Sequence, residues 1–244
     1  MANTRVLIEV CVDSAEGLAE AVAGGADRIE LCTALDVGGL TPSAGLMQAA
    51  ARCPVPVLAM IRPRAGDFVF SPAEVAIMRA DLAAARAAGL AGVVLGASLP
   101  DGRLDDTVLA RLTKAASGLD LTLHRAFDLV PDMAPALDLA AGLGFRRILT
   151  SGQAATAAEG RAGLERCFAL AGGRIAIMPG SGVSAETVPA LQGLPLTDLH
   201  GSCSVPGVAA PLGFGAPRRT SAARVRALKA VATGGDGGPD AQLS

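Results

Sequence analysis

The stretch RVLIEVCVDSAEGLAEAVAGGADRIELC, residues 5–32, contains one strand–helix–strand unit. Two short runs rich in Val, Ile and Leu, Val6–Cys11 and Arg28–Cys32, have the composition of parallel strands that are buried on both faces. Between them Ser14 occupies the position of a helix N-cap, and Glu16 follows where a carboxylate favours the helix dipole. This unit predicts two neighbouring parallel strands that are connected by a helix.

The same alternation continues along the chain. Ser71, Pro72 and Glu74 have the pattern of an N-cap, an N1 proline and a capping-box glutamate, and Ser184 is a further predicted N-cap. The predicted strands share a high content of Val, Ile and Leu, and they are Val6–Cys11, Arg28–Cys32, Val57–Arg62, Gly92–Leu95, Asp120–His124, Arg146–Thr150, Arg174–Met178 and Thr197–His200.

Eight strand–helix units predict a fold of the α/β class, a (β/α)₈ TIM barrel. We expect residues 1–232 to form this barrel as a single domain and residues 233–244 to be a disordered C-terminal tail. An open doubly wound sheet is the alternative. It would need fewer strands or a domain break, and the sequence contains no linker that suggests one.

Composition and charge exclude several classes of function. The chain has 244 residues, 51% of them apolar, and a formal net charge of −2, which gives no electrostatic footprint for nucleic acid. The apolar run after Arg5 is too short for a signal peptide, and the longest uncharged stretch, residues 199–217, is interrupted by Gly and Pro. Five cysteines without compact spacing argue against a disulfide framework, so we expect a cytoplasmic protein without a membrane span.

Polar side chains cluster at the C-terminal ends of the predicted strands, where TIM barrels carry their reactive groups. The chain contains only two histidines, His124 and His200, and both end predicted strands. Glu9 and Glu30 lie near the ends of the first two strands. The charged residues found at the ends of the third and fifth strands and in the loops after them are Arg62, Arg64, Asp67, Arg125 and Asp128.

Each of these groups also has a structural interpretation. A histidine at a strand end can bond a loop carbonyl, and Arg and Asp in the string RPRAGD can form a salt bridge that holds the loop. Interior carboxylates are costly unless they are paired or bind a ligand, so Glu9 and Glu30 are expected to have arginine partners. The available arginines are Arg28, Arg62 and Arg125. Taken together, these groups favour a functional barrel mouth over a purely structural ion-pair network.

Two cysteines, Cys11 and Cys32, repeat the pattern Ile-Glu-apolar-Cys on neighbouring strands. Two thiolates on adjacent strands can hold one soft ion such as Cu(I), which accepts few sulfur ligands. A reversible disulfide is a second interpretation, and two idle, buried thiols are a third. Because barrel strands are staggered, equal depth in the sequence does not guarantee equal height in the barrel.

The string MPGSGV after the seventh strand predicts a glycine-rich turn that leads into a helix. Gly180 and Gly182 leave backbone N–H groups free, and loops in this part of a TIM barrel frequently bind phosphate. The turn is therefore a candidate anion site, although tight turns require glycine for steric reasons as well.

Seven strings, in order and along nearly the whole chain, resemble the CutC family. They are EVCVDSAEGLAEAVAGGADRIELC, GGLTPSAGLM, MIRPRAGDFVFS, LHRAFD, ILTSGQ, MPGSGV and LHGS. The resemblance implies a cytoplasmic, usually oligomeric TIM barrel with a role in copper homeostasis, and it implies Cys11 and Cys32 as Cu(I) ligands. Departures from the family pattern are His200-Gly201-Ser202 after strand 8 and Pro179-Gly180-Ser181-Gly182-Val183 after strand 7.

Two hypotheses follow. The first is a Cu(I)-binding homeostasis protein. The second is a TIM-barrel enzyme that acts on a small carboxylated or phosphorylated metabolite, because two thiolates on copper do not require so many charged groups. In this second hypothesis the catalytic groups are Glu9, Glu30, His124 and His200, and the ligand-binding groups are Arg62, Arg64, Asp67, Arg125, Asp128, Gly180 and Gly182. An inactive barrel that serves as an interaction scaffold is a third possibility.

Overall fold

The computed structural model describes residues 5–208, 211–213 and 218–234. It contains eight parallel strands in a nearly closed barrel with helices packed around it, so the predicted TIM barrel is confirmed. The barrel strands are β1 (Leu7–Val12), β2 (Arg28–Leu31), β3 (Val57–Met60), β4 (Gly92–Leu95), β5 (Asp120–Leu123), β6 (Arg147–Thr150), β7 (Ala176–Pro179) and β8 (Asp198–Gly201).

The strands follow each other around the barrel in chain order, and β8 returns to pair with β1. Within the described residues β7 and β8 form the two ends of the hydrogen-bonded sheet. The largest differences from the predicted strands are two residues, at the end of β3 and at the start of β7. β3 ends before Arg62 because the Arg62 N–H donates to Thr41 Oγ1, 3.0 Å away, instead of to a neighbouring strand.

The helices begin mostly at the predicted signals. Ser14 accepts a hydrogen bond from the Gly17 N–H, and Ser71 forms a complete capping box with Glu74. The α-helices of the described chain are α1 (Ala15–Ala23), α2 (Ala44–Ala50), α3 (Pro72–Ala87), α4 (Asp106–Ala115), α5 (Met133–Gly142), α6 (Arg161–Ala171) and α7 (Ala222–Ala232). None of these helices combines the length and the apolar character that a membrane span requires.

The helix predicted to begin after Ser184 was wrong. Residues 185–187 form turns, and a 3₁₀ helix, Val188–Leu191, is the regular helical segment between β7 and β8. Pro189 explains the difference, because in an α-helix that started at residue 185 it would lack an N–H and would clash with the preceding turn. The glycine-rich turn after β7 therefore has no α-helix N-terminus behind it.

A two-stranded antiparallel arm follows β8 and was not predicted. It pairs β9 (Ser204–Pro206) with β10 (Arg218–Thr220), and it brings Thr220 to the C-terminal face of the barrel. The predicted tail from residue 235 onwards lies outside the described residues.

The inside of the barrel is strongly polar for a protein core. Arg147 on β6 donates to Thr122 Oγ1 and to Asp120 Oδ2 on β5, at 2.9 and 2.7 Å. Gly92 on β4 leaves space for Asp120, since a Cβ at position 92 would lie 2.4 Å from the Asp120 carbonyl oxygen. The apolar core lies mainly between the strands and the surrounding helices, and Phe127 is among its largest fully buried side chains.

Asp27, in the turn before β2, connects three distant parts of the chain. Its carboxylate accepts from the Ile8 N–H at 3.0 Å and pairs with Lys229 of α7 at 2.9 Å and with Arg5 at 2.5 Å. Burial opposes its charge, but the Ile8 N–H and the Lys229 ammonium hold the pKa of Asp27 below its ordinary value.

Replacing Asp27 by Ala is expected to lower the free energy of unfolding by about 1.5–3 kcal/mol, the range for hydrogen bonds to charged groups. Because the folded pKa is lowered, this stabilisation is present above the ordinary aspartate pKa and is lost as the pH falls through the folded pKa. Urea unfolding at neutral and acidic pH measures both effects. The control is Asp138→Ala, whose pair with Arg174 is exposed and should contribute well under 1 kcal/mol. Equal losses in both variants would contradict the role of Asp27.

Candidate functional site

A cavity of about 350 Å³ opens at the C-terminal end of the barrel. Seven of the predicted site residues contribute to its lining, and five of them are Glu30, Arg62, His124, Arg125 and His200. Cys11 and Gly182 line it as well. The structure therefore brings together side chains from β1, β2, β8 and the loops after β3, β5 and β7, as the position of active sites in TIM barrels predicts.

A row of buried charges of alternating sign leads into this cavity. Arg28 Nη2 lies 2.7 Å from Asp198 Oδ1, and Arg28 Nε donates to Glu9. On the other side of Glu9, its Oε1 lies 2.9 Å from His200 Nδ1, and His200 Nε2 lies 3.7 Å from Glu30 Oε2. The strand register explains the row, because Glu9 of β1 is paired with Arg28 of β2 and with His200 of β8.

The row sets the ionisation of its members. Burial opposes the charge of Glu9, but its contacts with His200 and Arg28 hold the pKa of Glu9 at about 2. Burial raises the pKa of Glu30, which lies at the end of the row. Burial also opposes a charge on His200, yet the nearby Glu30 carboxylate and the Cys11 thiol raise its pKa well above the ordinary histidine value. Glu9 is thus ionised at neutral pH, and Glu30 and His200 are the two members of the row whose affinity for a proton is raised.

Glu30 has an incomplete set of hydrogen bonds. Its Oε2 accepts from the Cys32 thiol at 3.6 Å, while its buried Oε1 has no partner among the described residues. A buried carboxylate oxygen without a partner is costly, so this atom indicates a position that a ligand, ion or proton completes. The expected arginine partners are found only for Glu9, which binds Arg28, whereas Arg62 and Arg125 have other contacts.

His124 is a neutral imidazole in the structure. Burial and the positive charge of Arg62 lower its pKa to about 3. Its Nδ1 accepts from the Ala126 N–H at 3.2 Å, which places the proton of the neutral ring on Nε2. This Nε2 is buried and has no partner within the described chain. His124 therefore lines the cavity, carries an Nε2–H without a partner in the described structure and is a poor base at neutral pH.

Arg62 is a buried cation, 5% exposed, that has no carboxylate partner in the described structure. Its Nη atoms donate to the carbonyl oxygens of Val37, Gly39 and Gly66, and its buried Nε has no partner. Burial and the charge of Arg64 lower the pKa of Arg62. The guanidinium also lies 5.0 Å from the centre of the Phe68 ring, and the centre of this ring lies 4.6 Å from the centre of the His124 ring.

Four predicted ligand-binding residues have structural contacts instead. Arg64 is turned away from the cavity and pairs with Asp67 at 2.8 Å and with Glu74, so the salt-bridge interpretation of this loop fits their positions. Asp128 accepts from the Ser151 N–H and side chain and from Arg125, which fixes the start of the loop after β6. Gly180 is required for packing, since a Cβ there would lie 2.4 Å from Leu149 Cδ1.

The two thiols occupy different heights. In the register of β1 with β2, Cys11 is opposite Glu30, so Cys32 lies two residues further towards the mouth. The Cys32 thiol is buried, donates to Glu30 and contacts the backbone near Gly39, and burial together with Glu30 raises its pKa well above the ordinary value. Both cysteines are free thiols. A Cu(I) ion held by both would require Cys32 to leave its bond with Glu30, and the pairing of these two residues as ligands stays a prediction.

Sequence reasoning missed Asp198 and Phe68. Asp198 lies two residues before His200, so both point to the same side of β8, and this spacing is a signal that could have found it. Phe68 comes from the loop after β3, and nothing in its local pattern indicates that it would lie between Arg62 and His124.

Backbone strain is concentrated around the mouth. Four non-glycine residues with positive φ, Ala34, Gln153, Ser181 and Cys203, lie in the loops that follow β2, β6, β7 and β8. Such conformations cost about 1–3 kcal/mol each and are typical of functional loops. The strain supports the mouth as the functional end of the barrel.

Comparisons with known proteins agree with the sequence strings. A model of the CutC family matches residues 6–205. A CutC family protein of Rhizobium meliloti (strain 1021) is 59% identical over 235 residues, which covers 93% of this chain and 96% of that protein. The copper homeostasis protein cutC homolog of Homo sapiens is 44% identical over 196 residues, covering 80% of this chain and 72% of the human protein.

A solved structure from the same family also matches this chain. The crystal structure of the putative copper homeostasis protein CutC from Streptococcus agalactiae superimposes with a TM-score of 0.77 at 33% sequence identity. The match covers 81% of this chain and 98% of the other. Family model, relatives and fold together show that this chain belongs to the CutC family.

Proposed function

We propose that this protein is an enzyme that binds a small anionic metabolite, a carboxylate or a phosphate, in the cavity at the barrel mouth. The observation that carries the proposal is Arg62, a buried cation at the cavity wall without a carboxylate partner in the described structure. A buried charge is costly unless it is compensated, and an anionic ligand would compensate this one. The free Nε–H offers that ligand a charge-assisted hydrogen bond.

The other walls supply groups for chemistry. The neutral His124 ring would donate Nε2–H to an oxygen of the ligand, including an oxygen that gains negative charge during a reaction. Across the cavity, burial raises the pKa of Glu30 above its ordinary value, which favours this carboxylate as a proton-exchanging group. Glu9 would orient His200 through its 2.9 Å contact and would not itself exchange protons. These roles modify the sequence hypothesis, in which His124 was an acid–base group.

Copper homeostasis through Cu(I) binding is the second candidate function. It is supported by the names of the human and Streptococcus agalactiae relatives and by two inward-facing cysteines on neighbouring strands. Cys11 lines the cavity and is within reach of His200, so a sulfur and a nitrogen ligand are available to a soft ion. Cys32 would join only after a change in its contact with Glu30.

The proposal includes a cytoplasmic location, because reducing compartments keep thiols such as these five free cysteines reduced. The homo-oligomer that the family resemblance implies stays a prediction, which light scattering on the purified protein would test.

Arg62→Gln is expected to abolish or strongly weaken the thermal shift that a carboxylated or phosphorylated metabolite produces. Loss of a charge-assisted bond worth about 1.5–3 kcal/mol corresponds to roughly 10–100-fold weaker binding. The measurement is a thermal-shift screen of anionic metabolites, followed by calorimetry on each hit. Arg64→Gln is the matched control, because this arginine is in the same loop but does not line the cavity. Metabolites that raise the melting temperature of both variants equally, or a screen in which no anionic metabolite raises that of the wild type, would contradict the proposal.

His124 is expected to remain neutral, with its proton on Nε2, from pH 8 down to at least pH 5, because its folded pKa is about 3. Nitrogen-15 NMR of the two imidazole rings measures this directly, and His124→Gln assigns the signals. Normal titration of His124 near pH 6.5 would contradict the role of a neutral donor.

Cys11→Ser is expected to weaken Cu(I) binding more than Cys32→Ser does, since Cys11 is the thiol that lies close to His200. Anaerobic titration against a Cu(I) chelator measures both affinities, and Cys53→Ser is the control for a cysteine remote from these strand ends. If the double variant binds Cu(I) like the wild type, the copper hypothesis is wrong.

A further inference from the structure

We propose that Cys11, Glu30 and His200 form a three-ligand site for a divalent cation of borderline softness, such as Zn²⁺, with an open coordination position towards the cavity. The sulfur of Cys11, a carboxylate oxygen of Glu30 and a ring nitrogen of His200 lie within 4.8 Å of one another, and all three residues are buried. Bond lengths to zinc of about 2.0–2.3 Å place tetrahedral ligand atoms roughly 3.3–3.7 Å apart. Side-chain movements of about 1 Å would therefore bring the three ligand atoms to these distances.

A second, independent observation points to the same position. Glu30 Oε1 is buried and has no hydrogen-bond partner in the described structure, and the residue as a whole is only 3% exposed. The other oxygen of this carboxylate is held by the Cys32 thiol at 3.6 Å. This oxygen, Oε2, also lies 3.7 Å from His200 Nε2, so the carboxylate that leaves Oε1 without a partner faces the proposed site. A carboxylate that accepts an outer hydrogen bond is typical of a metal ligand.

The contacts around His200 also match a metal ligand. Its Nδ1 lies 2.9 Å from Glu9 Oε1, so a proton on Nδ1 leaves Nε2 free to coordinate. Histidines that bind metals usually donate their second nitrogen to a carboxylate in this way. Glu9 is itself fixed by Arg28 and would be a positioning residue for the metal.

The donor set favours a divalent ion over Cu(I). A thiolate, an imidazole and a carboxylate combine soft, intermediate and hard atoms, which Zn²⁺ accepts together, whereas Cu(I) selects sulfur. Cys11 as a thiolate and Glu30 as a carboxylate would also neutralise the two charges of the ion. Three protein ligands with a free fourth position are typical of catalytic zinc, where the metal polarises an oxygen of the substrate or activates a water.

This inference rests on the proposed function only for what the bound metal does to the metabolite. Metal binding itself does not require the metabolite. Arg62→Gln should bind metal like the wild type, whereas Cys11→Ser should lose metal while Arg62 and His124 remain in place. Failure of the metabolite screen and failure of the metal site are therefore distinguishable.

The test is cobalt substitution of the full-length protein, stripped of metal and kept reduced. One equivalent of Co²⁺ should produce a sulfur-to-cobalt charge-transfer band in the near ultraviolet, together with the strong visible bands of a four- or five-coordinate ion. Cys11→Ser should abolish the charge-transfer band, and Zn²⁺ should displace cobalt from the wild type. Glu9→Gln, which leaves the three proposed ligands in place but removes the charge that contacts His200 and Arg28, should weaken Zn²⁺ binding by about 10–100-fold.

Cys53→Ser is the matched control and should retain the band and the affinity, and Cys32→Ser, which keeps a hydroxyl donor for Glu30, should retain the band. Circular dichroism of each metal-free variant verifies folding. If Glu30→Gln or His200→Gln fails to fold, the cobalt spectra of the wild type and of Cys11→Ser are sufficient to test the proposal. A wild type without the charge-transfer band, or a band that survives in Cys11→Ser, overturns the proposal. Binding that requires Cys32 but neither Glu30 nor His200 overturns it in favour of a two-thiolate site.

Discussion

The contact of Glu9 with Arg28 and His200 is the interaction on which the barrel mouth depends. Glu9 is completely buried, and an uncompensated carboxylate in that position would cost several kcal/mol. Because Glu9 is paired in register with both neighbours, one side chain fixes an arginine on β2 and a histidine on β8. Cys11 and Glu30 lie opposite each other one step closer to the mouth, so their separation follows from the same register. The contact thus sets the relative positions of Cys11, Glu30 and His200 at the barrel mouth.

The fold was predictable because its signals are local. Most strands are short runs rich in Val, Ile and Leu, and Ser14 and Ser71 start helices through contacts within four residues. The prediction of an α-helix after Ser184 was wrong for an equally local reason, because Pro189 lies within the segment that was predicted to be helical. The arm of β9 and β10 is different, since its pairing joins segments separated by a stretch without a strand or helix signal of its own.

The site was only partly predictable, because heights inside a barrel are set by stagger between strands. The repeated strings IEVC and IELC suggest two cysteines at one level, but the register places Cys11 beside Glu30. The rule that polar strand ends meet at the mouth identified Arg62 and His124 correctly as cavity residues. It could not separate them from Arg64, whose direction depends on the path of the loop and on its contact with Glu74.

The cavity has two walls of opposite character, and this limits what it binds. Arg62 and the His124 Nε2–H form a wall that would suit an anion or an oxygen acceptor. Cys11 and Glu30, joined at the cavity surface by Asp13 and Asp36, form a wall that attracts a cation or a proton. A metal ion alone leaves Arg62 uncompensated, and an inorganic anion alone leaves the Glu30 oxygen without a partner. An organic molecule with an anionic group at one end, and an oxygen that can meet a metal or a proton at the other, satisfies both walls at once.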